Sequence, residues 1–339
     1  DGTGGGTGLL VDLNPGPTSS NPGNFAQLCG AVGFTADDGI HGREPWLTEG
    51  TVASTRILAD VLPGPEASGA YPGWPWDVGG ASPCSFFYRD WDPVEEEQLW
   101  FYDAANFELR RVAWDLVSYD LQPLGGVGER FLFQGSRSAD GTGSELWVSD
   151  GTEAGTHLLR EIMAGPESAA ILFPAAFGGR IYFRACDFAH GCELWRTDGS
   201  AAGTELVKDI VPGRFSSYPS AIQAIGDRLY FAACQWDVGC ELWISDGSGP
   251  GTHRVDDLFP GPDSSLAVDT FDIWFEDPPS FARLGDEIFF RADDGTGAEL
   301  WAVRVEIFYD GFESGDAWRW SEVGGDAGTT PRDRARTAE

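Results

Sequence analysis

Short runs of alternating apolar and polar residues recur along this chain, and turns rich in Gly, Pro, Asp and Ser separate them. Residues 180–186 (RIYFRAC) and 228–234 (RLYFAAC) are two such runs, and each leads into a run that ends in Glu-Leu-Trp. Alternation with a period of two indicates β-strands with one buried face, whereas no long stretch has apolar residues at helical spacing. The pattern predicts an all-β protein made of short antiparallel strands.

The Glu-Leu-Trp run returns at a nearly constant distance along most of the sequence. Its tryptophans are separated by 54, 47, 48, 48 and 58 residues, and they are Trp46, Trp100, Trp147, Trp195, Trp243 and Trp301. A fixed period of this length is typical of solenoids, propellers and arrays. In the fourth unit we predict strands over 156–162, 173–179, 180–186 and 192–198, which is the content of one propeller blade. Six units predict a six-bladed β-propeller, with the tryptophans packed between blades.

Two kinds of acidic residue repeat together with the tryptophan. One stands two residues before it, with Gln98 in the remaining unit: Glu44, Glu145, Glu193, Glu241 and Glu299. The other stands three residues after it: Glu49, Asp103, Asp150, Asp198 and Asp246. Paired carboxylates can serve acid–base chemistry, but repetition in nearly every unit disfavours a single catalytic constellation. We expect these side chains to accept hydrogen bonds from turn amides in their own blade instead.

A second motif, an acid ahead of a Pro-Gly loop, completes the repeating unit. Its acids are Asp12, Asp60, Glu161, Asp209 and Asp257, as in VDLNPGPTSS (11–20) and DDLFPGPDSS (256–265). The whole unit, ELWxSDGTxxGTxLVxDIxPGxxSS…GxxLYFxAxDxxxGxELW, resembles the ELWxxDGT repeat proteins, secreted bacterial proteins thought to form β-propellers. The resemblance covers about residues 1–303, although residues 101–120 lack both the DGT and the Pro-Gly loop. It implies an architecture and no activity.

We therefore expect one propeller over residues 1–303 and a C-terminal extension over 304–339. The units are at about 1–46, 47–100, 101–147, 148–195, 196–243 and 244–301. After Trp301 the expected acid is replaced by Arg304, and the chain begins with Asp-Gly-Thr, the missing piece. The N-terminal segment is thus predicted to complete the last unit and close the ring. The same complementarity could act between molecules, although effective concentration favours closure within one chain.

The C-terminal extension carries a motif of its own. Residues 310–321 (DGFESGDAWRWS) resemble a short C-terminal motif of secreted proteobacterial proteins, and they contain Trp318 and Trp320. We expect this tail to contact a neighbouring copy of the chain. The start at Asp1, inside a repeat, favours a processed or trimmed chain.

Six cysteines are predicted to form disulfides. Cys186 and Cys192 bound a five-residue loop, Cys234 and Cys240 bound another in the same slot of the next unit, and each pair can face across a hairpin. Cys29 and Cys84 occupy nearly matching slots of the first two units and can join neighbouring blades. Metal binding is the alternative, but no further ligands stand at a set spacing. Disulfides predict a location outside the cytoplasm.

The charge is strongly negative, at −32. Such a surface repels phosphate backbones and anionic lipids, which disfavours nucleic acid and membrane partners, and no apolar run is long enough to span a membrane. It attracts divalent cations, and the loops at Asp12, Asp60, Asp209 and Asp257 offer the oxygen ligands that calcium prefers. Turns without metal explain these loops equally well, and the charge can serve solubility alone.

Three function classes follow. The first is an extracellular, non-enzymatic structural or adhesive propeller that self-associates, with a surface filament as one form. The second is a lectin-like propeller, because several aromatic residues stand off the repeat slots and aromatic rings are platforms for sugars: Trp74, Trp76, Trp91, Trp236 and Trp274. The third is a sialidase-like hydrolase, since 138–147 and 292–301 faintly resemble Asp-box turns. An arginine triad and a nucleophile pair are missing from the pattern, so we expect no enzyme.

Overall fold

The computed structural model describes residues 3–28, 30–61, 64, 76–77, 85–92, 96–103, 108–116, 121–137, 139–266, 280–285 and 287–304. These residues form β-strands and turns, so the predicted all-β class is confirmed. The one helical element among them is a single 3₁₀ turn at Val52–Ser54, and no helix there could span a membrane.

The strands of the described residues group into six antiparallel sheets, numbered here in chain order. Sheet 1 contains β1 (Gly23–Leu28), β2 (Ala31–Asp37), β3 (Arg43–Thr48) and β4 (Arg56–Ile57). Sheet 2 contains β5 (Trp76–Asp77), β6 (Phe86–Asp92), β7 (Glu96–Asp103) and β8 (Glu108–Leu116). Sheet 3 contains β9 (Gln122–Val127), β10 (Arg130–Gly135), β11 (Glu145–Ser149) and β12 (His157–Arg160).

Sheet 4 contains β13 (Leu172–Phe177), β14 (Arg180–Asp187), β15 (Gly191–Thr197) and β16 (Glu205–Lys208). Sheet 5 contains β17 (Ser220–Ile225), β18 (Arg228–Gln235), β19 (Gly239–Ser245) and β20 (His253–Arg254). Sheet 6 contains β21 (Ala282–Leu284), β22 (Glu287–Asp293) and β23 (Ala298–Arg304). In every sheet, strands that are consecutive in sequence are neighbours in space.

The sheets are offset from the repeat units of the sequence. The predicted grouping of 156–162 with 173–198 in one sheet is wrong, because β12 pairs with β11 in sheet 3 while β13 begins sheet 4. The reason is the tight turn after the tryptophan strand: it reverses the chain, so the next strand returns to the sheet that carries the tryptophan. Each tryptophan therefore lies on the third strand of its sheet.

Apolar cores join successive sheets. Between sheets 3 and 4, Leu146 and Val148 pack with Ile181, Phe183 and Trp195 in one buried cluster. Corresponding clusters connect sheets 1 and 2, 2 and 3, 4 and 5, and 5 and 6. The first strands also meet: β5 contacts β9, β9 contacts β13, and β13 contacts β17. Sheets that follow one another in sequence are thus packed face to face.

The predicted closure by the N-terminal segment is not made by the described residues. β23 is an edge strand of the three-stranded sheet 6, and residues 3–22 contain no strand. Instead Leu13 packs against Phe34 and Trp46 of sheet 1, and the Ser20 carbonyl accepts a hydrogen bond from the Asp37 amide at 2.9 Å. Residues 13–20 therefore lie beside sheet 1 in the same way as each loop between sheets lies beside the sheet that follows it. Asp1 and residues 305–339 lie outside the described residues.

Candidate functional site

The repeated tryptophans form one layer of the cores. Trp46, Trp147, Trp195 and Trp243 are buried, whereas Trp100 and Trp301 are partly buried. Five of them lie opposite a phenylalanine of the second strand. In three of these pairs the ring centroids are 6.2 to 6.4 Å apart: Phe34 with Trp46, Phe133 with Trp147, and Phe231 with Trp243. Trp195 packs in the core between sheets 3 and 4, as the prediction of packing between blades requires.

The repeated glutamates bind the loops that connect the sheets. Glu193 is fully buried, and its carboxylate accepts hydrogen bonds from the Ile210 amide at 3.0 Å and from the Ser217 amide at 2.9 Å. The Ser217 hydroxyl donates to the same carboxylate at 2.5 Å. Glu44, Glu145 and Glu241 are also fully buried and accept from loop amides 17 residues further on. These four side chains do accept from backbone amides, but the amides belong to the loop that leads to the next sheet and not to a turn within the same sheet. We call each arrangement a glutamate latch.

Burial dominates the titration of these carboxyl groups. It raises the pKa of Glu145 and of Glu193 to about 7, although the hydrogen bonds from loop amides act in the opposite direction. Burial also raises the pKa of Glu241. A raised pKa is often found at catalytic acids, but here it recurs in three successive sheets with the same loop partners. The recurrence indicates a structural role for the group.

Glu299 departs from this arrangement. It is exposed, although the repeat places it in the same position as Glu193. Its neighbour Leu300 is also exposed, whereas Leu146, Leu194 and Leu242 at the equivalent position are buried. The latch in the other sheets needs a fourth strand and the loop after it, and in sheet 6 the described residues end with the third strand.

The acids after the tryptophan strand shape its turn. Asp150 accepts from the Thr152 amide and hydroxyl at 2.9 and 2.6 Å, and Ser200 and Ser248 make the same bonds to Asp198 and Asp246. These hydroxyl bonds lower the pKa of each aspartate. Asp103 instead pairs with Arg110 at 3.3 Å. The expected turn role is thus confirmed for the three aspartates.

The Pro-Gly loops were the predicted calcium sites. Asp12 and Asp60 are exposed there, while Asp209 and Asp257 are partly buried, and Asp209 accepts from the Gly213 amide of its own loop at 3.2 Å. Within the described ranges, no group of three His, Cys, Asp or Glu side chains is placed to hold a metal ion. Calcium binding at these loops stays a prediction of the sequence.

Disulfides close two of the strand hairpins. Cys186–Cys192 and Cys234–Cys240 are bonded, and each pair lies directly opposite across the ladder between the second and third strands. Both hairpin predictions are confirmed, whereas Cys29 and Cys84 lie outside the described residues. In the first of these hairpins His190 contacts Asp187 at 2.9 Å, and in sheet 1 His41 contacts Asp38 at 2.7 Å. These bonds raise the pKa of both histidines.

Three exposed aromatic side chains lie along the edge formed by these hairpins. Phe188 and Trp236 follow the first cysteine of each pair by two residues, and they are 63% and 85% exposed. Phe215, 66% exposed, lies in the loop between them, whose Ser217 donates to the Cys192 carbonyl and accepts from the Cys234 amide. We call these three residues the aromatic rim. Sequence reasoning named only Trp236, although the matching positions relative to the cysteines could have indicated Phe188.

The structure describes little of the other predicted interaction residues. Trp76 and Trp91 lie in β5 and β6, but their side chains are outside the described part of the chain. Trp74, Trp274, Trp318 and Trp320 lie outside the described residues altogether.

Basic side chains between sheets were missed by sequence reasoning. The carbonyl of the turn glycine accepts from an arginine of the preceding sheet in three places: Arg110 to Gly151 at 2.6 Å, Arg130 to Gly199 at 2.7 Å, and Arg196 to Gly247 at 2.6 Å. Lys208 likewise donates to the Thr252 carbonyl at 2.7 Å. The glycines repeat in the sequence, but their arginines come from three different strand positions, so no spacing could have paired them.

Comparison with known proteins gives structural likenesses of low similarity. The chain matches no protein-family model and no curated protein. It is similar to TolB from Acinetobacter baumannii, with 10% identity over 83% of this chain and 62% of that one, at a TM-score of 0.36. It is also similar to oligopeptidase B from Leishmania major, with 12% identity over 85% of this chain and 39% of that one, at a TM-score of 0.49. The chain spans less than two thirds of either protein. These values assign no activity, substrate or partner to it, and the resemblance to the ELWxxDGT repeat proteins rests on sequence motifs alone.

Proposed function

We propose that this chain is a non-enzymatic, extracellular structural or adhesive protein that associates with copies of itself, with a surface filament as one form. The observation that carries the proposal is the set of large apolar side chains left in contact with solvent. They lie on the aromatic rim and on the two terminal sheets and the N-terminal segment, where Leu9, Phe25, Leu284 and Leu300 are each more than half exposed. Contiguous exposed apolar patches mark interaction sites, and the aromatic rim brings three such side chains to one edge.

The finer fold that we propose is a six-bladed β-propeller. Five sheets of four strands in sequential order support it. The contacts between first strands do so too, since the first strand of a blade lines the central axis in such folds. The sixth blade then takes its outer strand from an N-terminal segment, either its own or that of a second copy. Electron microscopy of the purified protein in end-on view tests this, and a particle with another number of blades contradicts it.

The lack of enzymatic activity is part of the proposal. The buried carboxylates of Glu44, Glu145, Glu193 and Glu241 bind loop amides, and Asp150, Asp198 and Asp246 bind turn hydroxyls. Groups that are used in this way in several sheets supply no single site with distinct acid and base roles. A hydrolytic activity that survives purification to homogeneity and is lost on one point substitution would contradict it.

The location outside the cytoplasm is supported by the two hairpin disulfides. Alkylation of the native protein before and after reduction tests it: we expect thiols at Cys186, Cys192, Cys234 and Cys240 only after reduction. Reactive thiols in protein taken directly from the cells would contradict an oxidising compartment.

Self-association is tested by light scattering coupled to size exclusion over a dilution series. We expect the mean mass to rise with concentration and fibres or closed oligomers to appear in negative-stain images. A single monomeric mass at every concentration would overturn the proposal.

A lectin-like function is the second candidate, because the aromatic rim holds Phe188, Phe215 and Trp236 on a stiff, disulfide-closed edge. The net charge of −32 favours neutral over anionic glycans. A glycan array probed with the wild-type chain and with Trp236→Ala tests it. Signals lost in the variant support the candidate, and a blank array ends it.

A further inference from the structure

Among the described residues, sheet 6 lacks the fourth strand that every other sheet has. In sheets 3, 4 and 5 the tryptophan strand pairs with a fourth strand, β12, β16 or β20. At β23 the position after the glutamate, Leu300, is 77% exposed, whereas Leu146, Leu194 and Leu242 are buried at the equivalent position. In the described residues β23 is therefore an open edge strand, and Leu300 lies on the face that the next sheet covers in sheets 3, 4 and 5.

The N-terminal segment has the sequence of such a strand and of the turn before it. Residues 1–11 (DGTGGGTGLLV) match 150–160 (DGTEAGTHLLR) position by position, so that Leu9 stands in the place of Leu158 on β12. The turn is already formed: the Gly6 amide donates to Thr3 Oγ1 at 3.1 Å and the Thr7 hydroxyl donates to the Thr3 carbonyl at 3.0 Å. Gly155 and Thr156 make the same two bonds to Thr152. Yet Leu9 is 84% exposed.

The glutamate latch also has its two halves at these ends. Glu299 on β23 is exposed in the position of Glu193. Ser20 has the same position in the N-terminal segment as Ser217 has in the loop between sheets 4 and 5. The Ser217 hydroxyl donates to Glu193. The Ser20 carbonyl accepts from the Asp37 amide, just as the Ser217 carbonyl accepts from the Cys234 amide of the following sheet. Ser20 thus already makes the bond to the following sheet that Ser217 makes.

We propose that the N-terminal segment of one copy docks on β23 of a second copy, as the fourth strand of its sheet 6. The proposal rests on the self-association proposed above and names its contact. By the register of β11 with β12, Leu9 lies opposite Trp301 and Gly8 lies opposite Ala302. Leu13 and Ser20 hold the donor segment on its own sheet 1, so the donor segment and the strand that receives it belong to different sheets of each copy. Head-to-tail contacts between such patches give rings or open filaments, and strand addition satisfies the backbone groups of the edge.

Two variants, each with one added cysteine, test the contact directly. Opposite residues of an antiparallel pair are close enough for a disulfide, and Gly8 has room for a side chain, while Ala302 is exposed. We expect a mixture of Gly8→Cys and Ala302→Cys chains to form a covalent heterodimer that reductant separates. Gly8→Cys mixed with Ala201→Cys, an exposed turn position of sheet 4, is the control and stays uncrosslinked. A mixture that gives no heterodimer overturns the proposal, above all if a chain with both Gly8→Cys and Ala302→Cys crosslinks within itself.

A second pair of variants separates this contact from self-association in general. Leu9→Asp places a charge in the proposed interface, and Ile40→Asp is the matched control, since Ile40 is also exposed but lies on the hairpin of sheet 1. We expect Leu9→Asp to abolish the rise of mass with concentration while Ile40→Asp leaves it unchanged. If both variants assemble like the wild type, the strand contact is wrong and self-association stands. If the wild type itself stays monomeric, both proposals fail.

Discussion

Single residues explain how a chain with many turns keeps its connecting loops in place. A buried carboxylate in each of four sheets accepts backbone amides from a loop 17 residues further on, as Glu193 does from Ile210. Loop amides that face the interior need a partner, because an unpaired buried donor costs more than the bond itself contributes. The glutamate supplies several acceptor positions at once and so fixes both ends of the loop to the same sheet.

Removing this acceptor should destabilise the protein strongly. In Glu193→Ala the amides of Ile210 and Ser217 and the Ser217 hydroxyl lose their partner. We expect the free energy of unfolding to fall by about 3 kcal/mol or more. Glu193→Gln keeps one acceptor oxygen and should lose less. Urea unfolding measures the change, and the exposed turn residue Glu153, changed to Ala, is the control expected within about 0.5 kcal/mol of the wild type. Equal losses in the two alanine variants would contradict the latch.

The same carboxyl groups should make stability fall as the pH rises. Glu145 and Glu193 have a pKa of about 7 in the folded chain against 4.5 ordinarily, so between these values the native state binds more protons than the unfolded one. Stability is then highest near pH 4.5 and decreases toward pH 7 and above. His41 and His190, whose pKa values are raised above 6.5, lose their contribution in the same direction at higher pH.

The measurement is the urea midpoint as a function of pH, with a Glu145→Gln, Glu193→Gln variant beside the wild type. We expect the decrease to be smaller in the variant. The turn aspartates, with pKa values lowered from 3.8, lose their contribution only in more acidic solution and do not disturb this window. A midpoint that rises between pH 4.5 and pH 7 would show that the glutamates are not buried as described.

At the scale of elements, the Asp-Gly-Thr turn decides which sheet a strand joins. In sheet 3 the turn aspartate, Asp150, lies close to Gly155 at the other end of the turn. A Cβ atom on Gly155 would come within 2.0 Å of Asp150 Oδ1. We expect Gly155→Ala to cost about 1 to 3 kcal/mol, because the turn must open to admit the methyl group. Gly4→Ala is the control, since a Cβ there meets nothing within 4 Å. Thermal unfolding compares them, and an unchanged melting temperature for Gly155→Ala would contradict the turn geometry.

The hairpin disulfides should stabilise their sheets without being needed for them. Cys186 and Cys192 already pair across the ladder of β14 and β15, so the bond adds mainly the closure of a loop with a sequence separation of 6. We expect the double variant Cys186→Ala, Cys192→Ala to lose about 2 kcal/mol and to keep its β-sheet circular dichroism. The same loss should follow for Cys234 and Cys240. A chain that unfolds when either pair is removed would contradict this estimate.

At the scale of the whole molecule, stability resides between the sheets. Phe231 is fully buried in the core that joins sheets 4 and 5, while Phe188 is an exposed member of the aromatic rim. Phe231→Ala should cost about 3 to 5 kcal/mol and Phe188→Ala less than about 0.5 kcal/mol. Because both changes remove the same atoms, the difference in unfolding free energy measures burial between sheets alone. Similar losses would mean that the sheets are stable separately.

The sequence by itself determined what repeats locally. Alternation around residues 180–186 and 228–234 gave the strands, the constant step between tryptophans gave the units, and the five residues between Cys186 and Cys192 gave a hairpin disulfide. The turn role of Asp150 and the acceptor role of Glu193 were also predictable. Each depends on residues close along the chain or on the same spacing in every unit.

Only the tertiary structure decided how the units contact one another. The strand after Asp150 pairs with the tryptophan strand before it, and the repeat period by itself does not show where one sheet ends and the next begins. The arginines that hold the turn glycines stand at unrelated positions, 110, 130 and 196, since a long flexible side chain can reach the same carbonyl from several strands. Leu300 and Leu9 stand at the repeat positions that are buried or partly buried in other sheets, and yet both are exposed. A sequence motif predicts a strand, but it does not say which strand or sheet will pack against it.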